Sequence, residues 1–383
     1  MKCLTEGFFS LSTVKKLEKI YDREEEKRRI SLDIKTGCLV FVSGLRRVGK
    51  TTLVRSISNS MKDRITIYIN FWDETLKTID ELKNTIAKKF IMKLESSKSV
   101  LSKIGAKISG AEILIGPLKF KFDKKRIKDP MLILESIFDK DAELVIIMDE
   151  IQESEIDKSR LARFISALKD RFSPKLSIFV MGSVSSVRDF IESSKGKRIE
   201  DETIYGRIDD ELIIEPFDEI TAERFLIAGF NECGVEISDD DVRYAVSMLG
   251  GFPGWLVKLG HYYVRMISLG RKISIKEAVS KVEIEARAQI FREIARAIEG
   301  KRNPRTYLRV LRFIANIGSS GPSRLSRELS LGTKQNALKY LKWLTKIGLL
   351  KQVDNEYIIP DPVVRRLALM SDFEREVLGR LMK

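Results

Sequence analysis

A loop near residue 44 has the residue types and spacing of a phosphate-binding site. Residues 41–53 read FVSGLRRVGKTTL, which contains the pattern G-x-x-x-x-G-K-[ST] between an apolar run and a helical repeat. Its two glycines allow backbone N–H groups to point at phosphates, and the helix that follows presents its positive end. Lys50 is expected to reach the β- and γ-phosphates, and the Thr51 hydroxyl to bind magnesium. The predicted phosphate-binding residues are Gly44, Leu45, Arg46, Arg47, Val48, Gly49, Lys50, Thr51 and Thr52.

A pair of acids supplies the second half of this chemistry. Asp149 and Glu150 directly follow the apolar run 144–148, which is typical of a parallel strand covered on both faces. We expect Asp149 to hold magnesium through its water shell, and Glu150 to orient and deprotonate the attacking water. The alternative is that these acids only begin the next helix. The phosphate loop upstream favours the catalytic interpretation.

Two further polar residues are candidate catalytic groups. Ser183 follows the apolar run 176–182, where it could sense the γ-phosphate or the attacking water, or equally be the N-cap of the next helix. Arg207 could stabilise transition-state charge, within its own subunit or as an arginine finger in a neighbouring one. Its alternative role is an ion pair with the acids near Asp209 and Asp210. The sequence leaves these alternatives open.

A parallel sheet is needed to bring these residues together at the ends of its strands. The predicted strands are 39–43, 65–70, 144–148, 176–183 and 211–215. The hydrophobic spacing predicts an amphipathic helix over 76–94. The pattern then alternates with period two over 108–122, around Gly116-Pro117, which predicts an inserted β-hairpin. A helix over 131–138 is expected to lead back to the sheet.

Two further regions follow the sheet. Residues 216–300 have a helical pattern, which a Gly-Pro turn at 250–255 interrupts. This pattern predicts a helical lid over the nucleotide, and a helix C-cap followed by a new helix is the simpler alternative for the turn. Residues 301–383 predict three helices and then a hairpin, the order of a winged helix-turn-helix domain.

The C-terminal region is strongly basic. Between Lys301 and Lys351 there are twelve Lys or Arg and one acid, a net charge of +11 out of +14 for the chain. This concentration indicates an anionic partner, nucleic acid first. The third helix would place its amino end at base edges. The predicted DNA contacts are Thr333, Lys334, Gln335, Asn336, Lys339 and Lys342. Winged helices also dock proteins, so a protein partner is the alternative.

Composition restricts the class of protein. A chain of 383 residues can form two or three domains with full cores, with no need of a disulfide or metal for stability. Three scattered cysteines fit a reducing cytoplasm better than secretion. The single histidine, His261, argues against histidine-based catalysis. No apolar run reaches the roughly 18 residues of a membrane span, so we expect a cytoplasmic protein without a membrane partner.

The motifs taken together resemble a known family. They are DREEE at 22–26, GLRRVGKTTL at 44–53, DEIQ at 149–152, GS at 182–183, YGR at 205–207 and GFP at 251–253. They resemble the archaeal P-loop ATPases related to the STAND regulatory ATPases, within the AAA+-like additional-strand (ASCE) group. The resemblance implies an α/β sheet ordered 5-1-4-3-2, ATP rather than GTP, an adenine pocket touched by Arg23 and Pro253, and switch-like hydrolysis. A lysine-rich insert, 97–127, departs from the family, and the resemblance supplies no role for it.

We therefore predict a magnesium-dependent ATPase with three domains. They are a P-loop core over 1–215, with an inserted helix and hairpin at about 75–127, a helical lid over 216–300 and a winged helix over 301–383. ATP or ADP is expected to set the posture of the winged helix on double-stranded DNA, with a nucleotide-dependent homo-oligomer as a further option. The alternatives are an ATP-gated switch that docks a protein, and a chain that binds nucleotide without hydrolysing it.

Overall fold

The computed structural model describes residues 2–12, 17–61, 64–96, 106–109, 112–115, 118–121, 130–132, 135, 143–193 and 204–381. Their strands are β1 (Leu39–Gly44), β2 (Arg64–Asn70), β3 (Ala106–Ser109), β4 (Glu112–Ile115), β5 (Leu118–Lys121), β6 (Glu143–Asp149), β7 (Leu176–Gly182), β8 (Asp210–Ile214), β9 (Ser319–Ser320), β10 (Lys351–Val353) and β11 (Glu356–Ile358). Their α-helices are α1 (Cys3–Glu6), α2 (Glu24–Thr36), α3 (Lys50–Ser60), α4 (Ile79–Ser96), α5 (Lys158–Phe172), α6 (Val184–Ser193), α7 (Glu219–Glu232), α8 (Asp239–Leu249), α9 (Pro253–Ser268), α10 (Ile275–Ile298), α11 (Pro304–Ile317), α12 (Pro322–Glu328), α13 (Lys334–Lys346), α14 (Pro362–Leu369) and α15 (Phe373–Gly379).

The chain forms two compact units. The sheet unit comprises Lys15–Ser43 and Lys50–Ile214, and the helical unit comprises Met1–Val14, Gly44–Gly49 and Glu215–Lys383. None of the helices in the described ranges has the length and apolar composition that crossing a bilayer requires.

The sheet unit is built on a five-stranded sheet in the order β2-β6-β7-β1-β8. If only these five strands are numbered along the chain, their order in the sheet is 2-3-4-1-5. This is the predicted order 5-1-4-3-2 counted from the other edge of the sheet, so the prediction is confirmed. The pairs β2–β6, β6–β7 and β7–β1 are parallel, so their carboxyl ends meet at one edge. Residues 144–148 of β6 are at most 1% exposed, because side chains pack against both faces of the strand.

The described residues of the insert in the sheet unit contain one more strand than the sequence predicted. The hairpin around residues 116–117 is present as the antiparallel pair β4–β5, and β3 pairs with the other side of β4. We did not predict β3, because a four-residue strand among polar residues and glycine gives little periodic signal. Of the helix predicted over 131–138, residues 131, 132 and 135 are described and are helical; the rest lies outside the described residues.

Helices α7 to α10 of the helical unit lie within residues 216–300, for which the sequence predicted a helical pattern, and their starts are marked in the sequence. Asp218, Ser238 and Ser274 are N-caps whose side chains accept hydrogen bonds from the backbone N–H three residues later. Ser274 and Glu277 form a reciprocal capping box at the start of α10.

The N-terminal segment is fastened to α7 and α9 of the helical unit. The Phe9 ring is fully buried, and a Cβ built at Gly229 or Gly260 would lie 2.3 Å from it, so only glycine leaves room there. A disulfide joins Cys3 to Cys233. We expected only that a chain of this length needs no disulfide for stability, and a separation of 230 residues gave no signal of the pairing.

The C-terminal module, defined as residues 301–383, contains the predicted three helices (α11, α12 and α13) followed by the predicted hairpin. The hairpin β10–β11 is extended by β9 into a three-stranded antiparallel sheet. Leu325, Leu341 and Leu344 are fully buried in the core of the module. Burial of these leucines fixes which face of α13 remains exposed.

Candidate active site

The phosphate loop connects β1 to α3 through an unusual backbone. Gly44 and Gly49 have φ angles of 155° and 96°, in the region that favours glycine. Arg47 has a φ of 67° although it carries a side chain. Lys50 is the first residue of α3, and its position is 7% exposed. The two glycines of the motif thus have the positive φ angles that a phosphate-binding turn favours, and a helix begins directly after the loop.

Asp149 is the centre of a hydrogen-bonded cluster at the carboxyl end of β6. It is 2% exposed, and its Oδ2 accepts hydrogen bonds from the Thr51 hydroxyl at 2.6 Å and the Tyr68 hydroxyl at 2.9 Å. Its Oδ1 accepts a hydrogen bond from the Glu150 backbone N–H at 2.9 Å. The structure therefore brings Thr51 and Asp149 together, as their predicted shared role at magnesium requires.

The oxygen atoms of this cluster fit a magnesium ion. Mg²⁺ prefers oxygen ligands and keeps several of its waters, so one hydroxyl and one carboxylate are a sufficient protein contribution. A hydroxyl has one hydrogen to donate and two lone pairs. Thr51 could therefore donate to Asp149 and still have a lone pair to offer to a magnesium ion. In that arrangement Asp149 would contact the waters of the ion, and magnesium would supply charge neutralisation of the phosphates.

Glu150 begins a sharp turn out of β6. Its φ of 55° and ψ of 50° are left-handed, and the short 3-10 helix Ile151–Glu153 follows it. The Gln152 side-chain amide donates a hydrogen bond to Glu150 Oε2. The Oε1 atom of Gln152 is buried without a hydrogen bond to any described residue. Gln152 thus restrains the Glu150 carboxylate in the position directly after Asp149, and the role of Glu150 as a general base stays a prediction.

Tyr68 is a residue of the site that sequence reasoning missed. It lies on β2, whose parallel pairing with β6 sets Tyr68 opposite Ile147 and Asn70 opposite Asp149. The Arg55 guanidinium lies 4.2 Å from the centroid of the Tyr68 ring. Burial is the largest cause, and the nearby Asp149 charge the second, of a raised pKa of Tyr68, so its hydroxyl remains a donor. The sequence signal that could have found Tyr68 is a lone tyrosine in β2, the strand that pairs with the strand ending in Asp149.

Ser183 lies in the position expected of a helix N-cap. Its hydroxyl accepts a hydrogen bond from the Ser186 backbone N–H at 3.2 Å and is 2.6 Å from the Ser186 hydroxyl. Ser183 follows β7, which pairs with both β1 and β6, so it is also at the sheet edge that carries Asp149. The local geometry favours capping and leaves the sensor role as a prediction.

Arg207 lies at the opposite edge of the sheet. It pairs with Asp170, with Nε–Oδ distances of 2.8 and 2.9 Å, whereas Asp209 pairs with Lys169 and Asp210 pairs with Arg29. Asp209 exchanges two hydrogen bonds with Leu39, the first residue of β1. The length of β1, roughly 16 Å at 3.3 Å per residue, therefore separates Arg207 from the carboxyl end of that strand. This placement does not favour a role within the same subunit.

The two residues that the resemblance placed at adenine lie at helix starts in different units. Arg23 precedes α2 in the sheet unit, where its Nη1 pairs with Glu26 at 2.9 Å. Pro253 is the first residue of α9 in the helical unit, a position in which its missing N–H costs nothing. Their part in adenine binding stays a prediction.

The residues predicted to contact DNA lie in the first turns of α13. All six are exposed. The Thr333 hydroxyl caps the helix by accepting from the Asn336 N–H at 3.2 Å, and the Asn336 amide donates to the Leu331 carbonyl at 3.1 Å. These two side chains are engaged in fixing the helix start, whereas Lys334 and Gln335 are directed to solvent.

The phosphate loop after β1, the acids at the end of β6 and the strand β7 that lies between β1 and β6 define a P-loop ATPase of the additional-strand type. A family model for an ATPase domain predominantly from Archaea matches residues 20–259, and the chain belongs to this family. It therefore hydrolyses ATP, with Mg²⁺ as cofactor. The resemblance to archaeal ATPases is confirmed.

Solved structures agree with this assignment. The chain is similar to the Walker-type ATPase of Pyrococcus abyssi, with 25% identity, a TM-score of 0.71 and coverage of 95% of this chain and 100% of that one. Its fold also matches the ORC2 protein of Aeropyrum pernix at 13% identity (TM-score 0.58) and Cdc6p of Pyrobaculum aerophilum at 14% (TM-score 0.50), each over 98% of both chains. No curated protein sequence matches the chain.

Proposed function

We propose that this ATPase uses its nucleotide state to set the affinity of the C-terminal module for double-stranded DNA. The observation that carries the proposal is the exposed face of α13. Gln335, Lys339 and Lys342 are exposed and lie four and three residues apart, which places them on one side of the helix. Because the opposite face is buried in the module, this basic side is available to a polyanion.

Neighbouring lysines extend the basic surface of α13 toward α10. The Lys301 ammonium lies 3.4 Å from the centroid of the Trp343 ring, and the Lys346 ammonium lies 5.6 Å from it. The pKa of Lys301 is lowered, mainly by burial and to a smaller extent by the charges of Lys346 and Lys339. Like charges held this close repel one another, so a phosphate backbone that neutralises them would stabilise the arrangement.

For the catalytic step, we propose that Lys50 neutralises the β- and γ-phosphates, Thr51 and Asp149 hold magnesium, and Glu150 accepts a proton from the attacking water. Glu150→Gln keeps the size of the side chain but removes the base. We expect turnover to fall by about 10²- to 10⁴-fold, with ATP still bound. Phosphate release and nucleotide calorimetry measure the two effects. Equal phosphate release by Glu150→Gln and wild type would refute the role of Glu150.

The DNA proposal is tested by fluorescence anisotropy with a labelled duplex at several salt concentrations. If four cations contact phosphates, the logarithm of the association constant should fall with log salt at a slope of about −4. Lys334→Ala with Lys342→Ala should lower affinity and reduce that slope by about 2. Arg271→Ala with Lys272→Ala removes the same charge from an exposed loop after α9 and is the matched control. Binding that does not depend on salt, or equal losses in both double variants, would refute the proposal.

ATP should alter the affinity for this duplex if the module is switched. The same anisotropy titration, repeated with ADP and with a non-hydrolysable ATP analogue, measures the difference. A ligand shifts an equilibrium only through its unequal affinity for two states, so identical DNA affinities with both nucleotides would refute the switch.

A protein partner remains the second candidate because of the hairpin β10–β11. Its tip carries Asp354 and Glu356, both exposed, and Val353 is 44% exposed. Acids at this tip would repel a phosphate backbone, whereas an exposed valine between polar residues suits a protein surface. Val353→Ser would weaken such docking and leave duplex binding unchanged. Loss of duplex affinity in Val353→Ser would count against the protein-docking role.

A further inference from the structure

The phosphate loop carries two arginines at positions that its motif leaves free. The Arg47 side chain is 9% exposed, and its Nη2 donates a hydrogen bond to Glu293 Oε2 on α10 at 2.6 Å. Its Nη1 lies 3.9 Å from Asp361 Oδ2, and its guanidinium lies 4.4 Å from the centroid of the Trp255 ring. We call Arg47, Trp255, Glu293 and Asp361 the arginine cluster. All four belong to the helical unit.

The backbone of the loop is tied to the same cluster. The Gly254 N–H donates a hydrogen bond to the Arg47 carbonyl at 3.0 Å. A Cβ at Gly254 would lie 3.0 Å from the Arg47 Cβ, so glycine permits this close approach. The left-handed φ of Arg47 is thus maintained by contacts to α9 and α10. A rearrangement of the loop backbone would have to disturb these contacts.

Asp361 extends the cluster into the C-terminal module. The fully buried Trp255 donates its indole N–H to Asp361 Oδ2 at 2.9 Å. Asp361 Oδ1 caps α14 by accepting from the Val363 N–H at 2.9 Å and the Val364 N–H at 3.4 Å. Burial raises the pKa of Asp361, and the Arg47 charge opposes that shift. The carboxylate at the start of α14 is therefore stabilised by an arginine of the phosphate loop.

Arg46 forms a second connection, to the basic helix itself. Its Nε donates a hydrogen bond at 3.1 Å to the carbonyl of Ile347, the residue at the end of α13. Its Nη1 also lies 3.7 Å from Glu293 Oε2. The adjacent arginines of the loop thus share Glu293, and they contact both α13 and the start of α14.

We propose that Arg46 and Arg47 form the path by which nucleotide in the phosphate loop alters the C-terminal module. The inference rests on the proposed function, because it assigns the coupling of that same site. Phosphate oxygens are strong acceptors for guanidinium groups, so a bound triphosphate competes with Glu293 and Asp361 for the two arginines. ATP and ADP differ in this competition by one phosphate. By reciprocity, a ligand on α13 changes nucleotide affinity by the same factor, which for allosteric sites is typically about 5- to 150-fold.

Trp255 provides a direct reporter of the coupling. The chain has three tryptophans, so Trp72→Phe with Trp343→Phe leaves Trp255 as the single emitter in the full-length protein. We expect its fluorescence to change on addition of a non-hydrolysable ATP analogue, and to change less with ADP. Glu293→Gln in this background should reduce the amplitude at least twofold. Glu285→Gln, on an exposed position of α10, is the matched control and should keep the wild-type response.

Hydrogen exchange gives a second measurement that requires no mutation in the cluster. Amides at 347–350 and 363–365 should change protection when the ATP analogue binds, and Arg46→Gln should reduce the change at 347–350. Neither measurement includes DNA, so a fluorescence response without duplex binding would leave the coupling standing while the DNA proposal failed. The coupling is overturned if calorimetry shows the analogue bound while Trp255 emission and these amides are unchanged, or if Glu293→Gln responds like Glu285→Gln.

Discussion

Asp33 should make the stability of the sheet unit depend on pH. This residue of α2 is 8% exposed, and its Oδ2 is buried without a hydrogen bond to any described residue. Burial first, and then the Asp210 charge, raise the pKa of Asp33 from its ordinary 3.8 to about 6, although Arg29 acts in the opposite direction. The charged form is therefore disfavoured in the folded chain.

The sign of the effect follows from linkage. The pKa of Asp33 is higher in the folded chain than in the unfolded chain, so protonation of Asp33 favours the folded state. This contribution to the free energy of unfolding is complete below about pH 4 and is lost as pH rises through about 6. A difference of about two pH units corresponds to about 3 kcal/mol, since one unit is worth about 1.4 kcal/mol. Asp33→Asn removes the charge and retains a donor toward Asp210. We expect the variant to be more stable than wild type by up to about 3 kcal/mol at pH 8, with no gain below pH 4.

Urea denaturation of both proteins at pH 4, 5, 6.5 and 8 measures this difference. Asp240→Asn, at a side chain that is 92% exposed, is the control and should show little dependence on pH. Carbon-13 NMR of the Asp33 carboxyl reports its protonation directly. A midpoint below about 4.5, or an equal effect of Asp33→Asn at every pH, would refute the reasoning.

Three further changes test other parts of the structure. Tyr68→Phe removes a donor to Asp149 and should raise the magnesium concentration for half-maximal phosphate release by about 10- to 100-fold; an unchanged requirement would mean that Tyr68 does not position the acid. Phe9→Ala empties the slot beside Gly229 and should lower the free energy of unfolding by about 3–5 kcal/mol in urea. Cys233→Ser should cost about 2–5 kcal/mol under oxidising conditions, and a reductant should then lower the wild-type midpoint but not that of the variant.

The parts of the site that sequence predicted are those whose residues are adjacent in the chain. The loop at 44–52 and the acids at 149–150 each form a short motif at the end of an apolar strand, and parallel pairing brings such ends to one edge. The sheet order 5-1-4-3-2 came from the family resemblance and not from periodicity. Periodicity alone locates strands but does not say which ones pair.

The contacts that sequence did not predict join residues far apart in the chain. Tyr68 reaches Asp149 because β2 and β6 pair in one particular register. Arg47 meets Glu293 across 246 residues, and no local sequence pattern distinguishes these two residues from the other charged residues of the chain. The sequence made Arg207, in the motif YGR, a candidate to stabilise transition-state charge, but the edge of the sheet at which it lies depends on how β8 pairs with β1. Such facts require three-dimensional structure because side-chain identity alone does not specify a partner.

The backbone at Arg47 and Glu150 supports a functional reason for these two side chains. Both have positive φ angles, 67° and 55°, a region that costs an ordinary residue roughly 1–2 kcal/mol. Glycine would adopt the same angles without that cost, but it would carry neither a guanidinium nor a carboxylate. Strain of this kind persists where surrounding contacts maintain it and concentrates at functional sites. Five described non-glycine residues have positive φ angles, namely Asp22, Arg47, Glu150, Ser330 and Asp354. Among them, Arg47 is the residue that we assign to coupling and Glu150 the residue that we assign to catalysis.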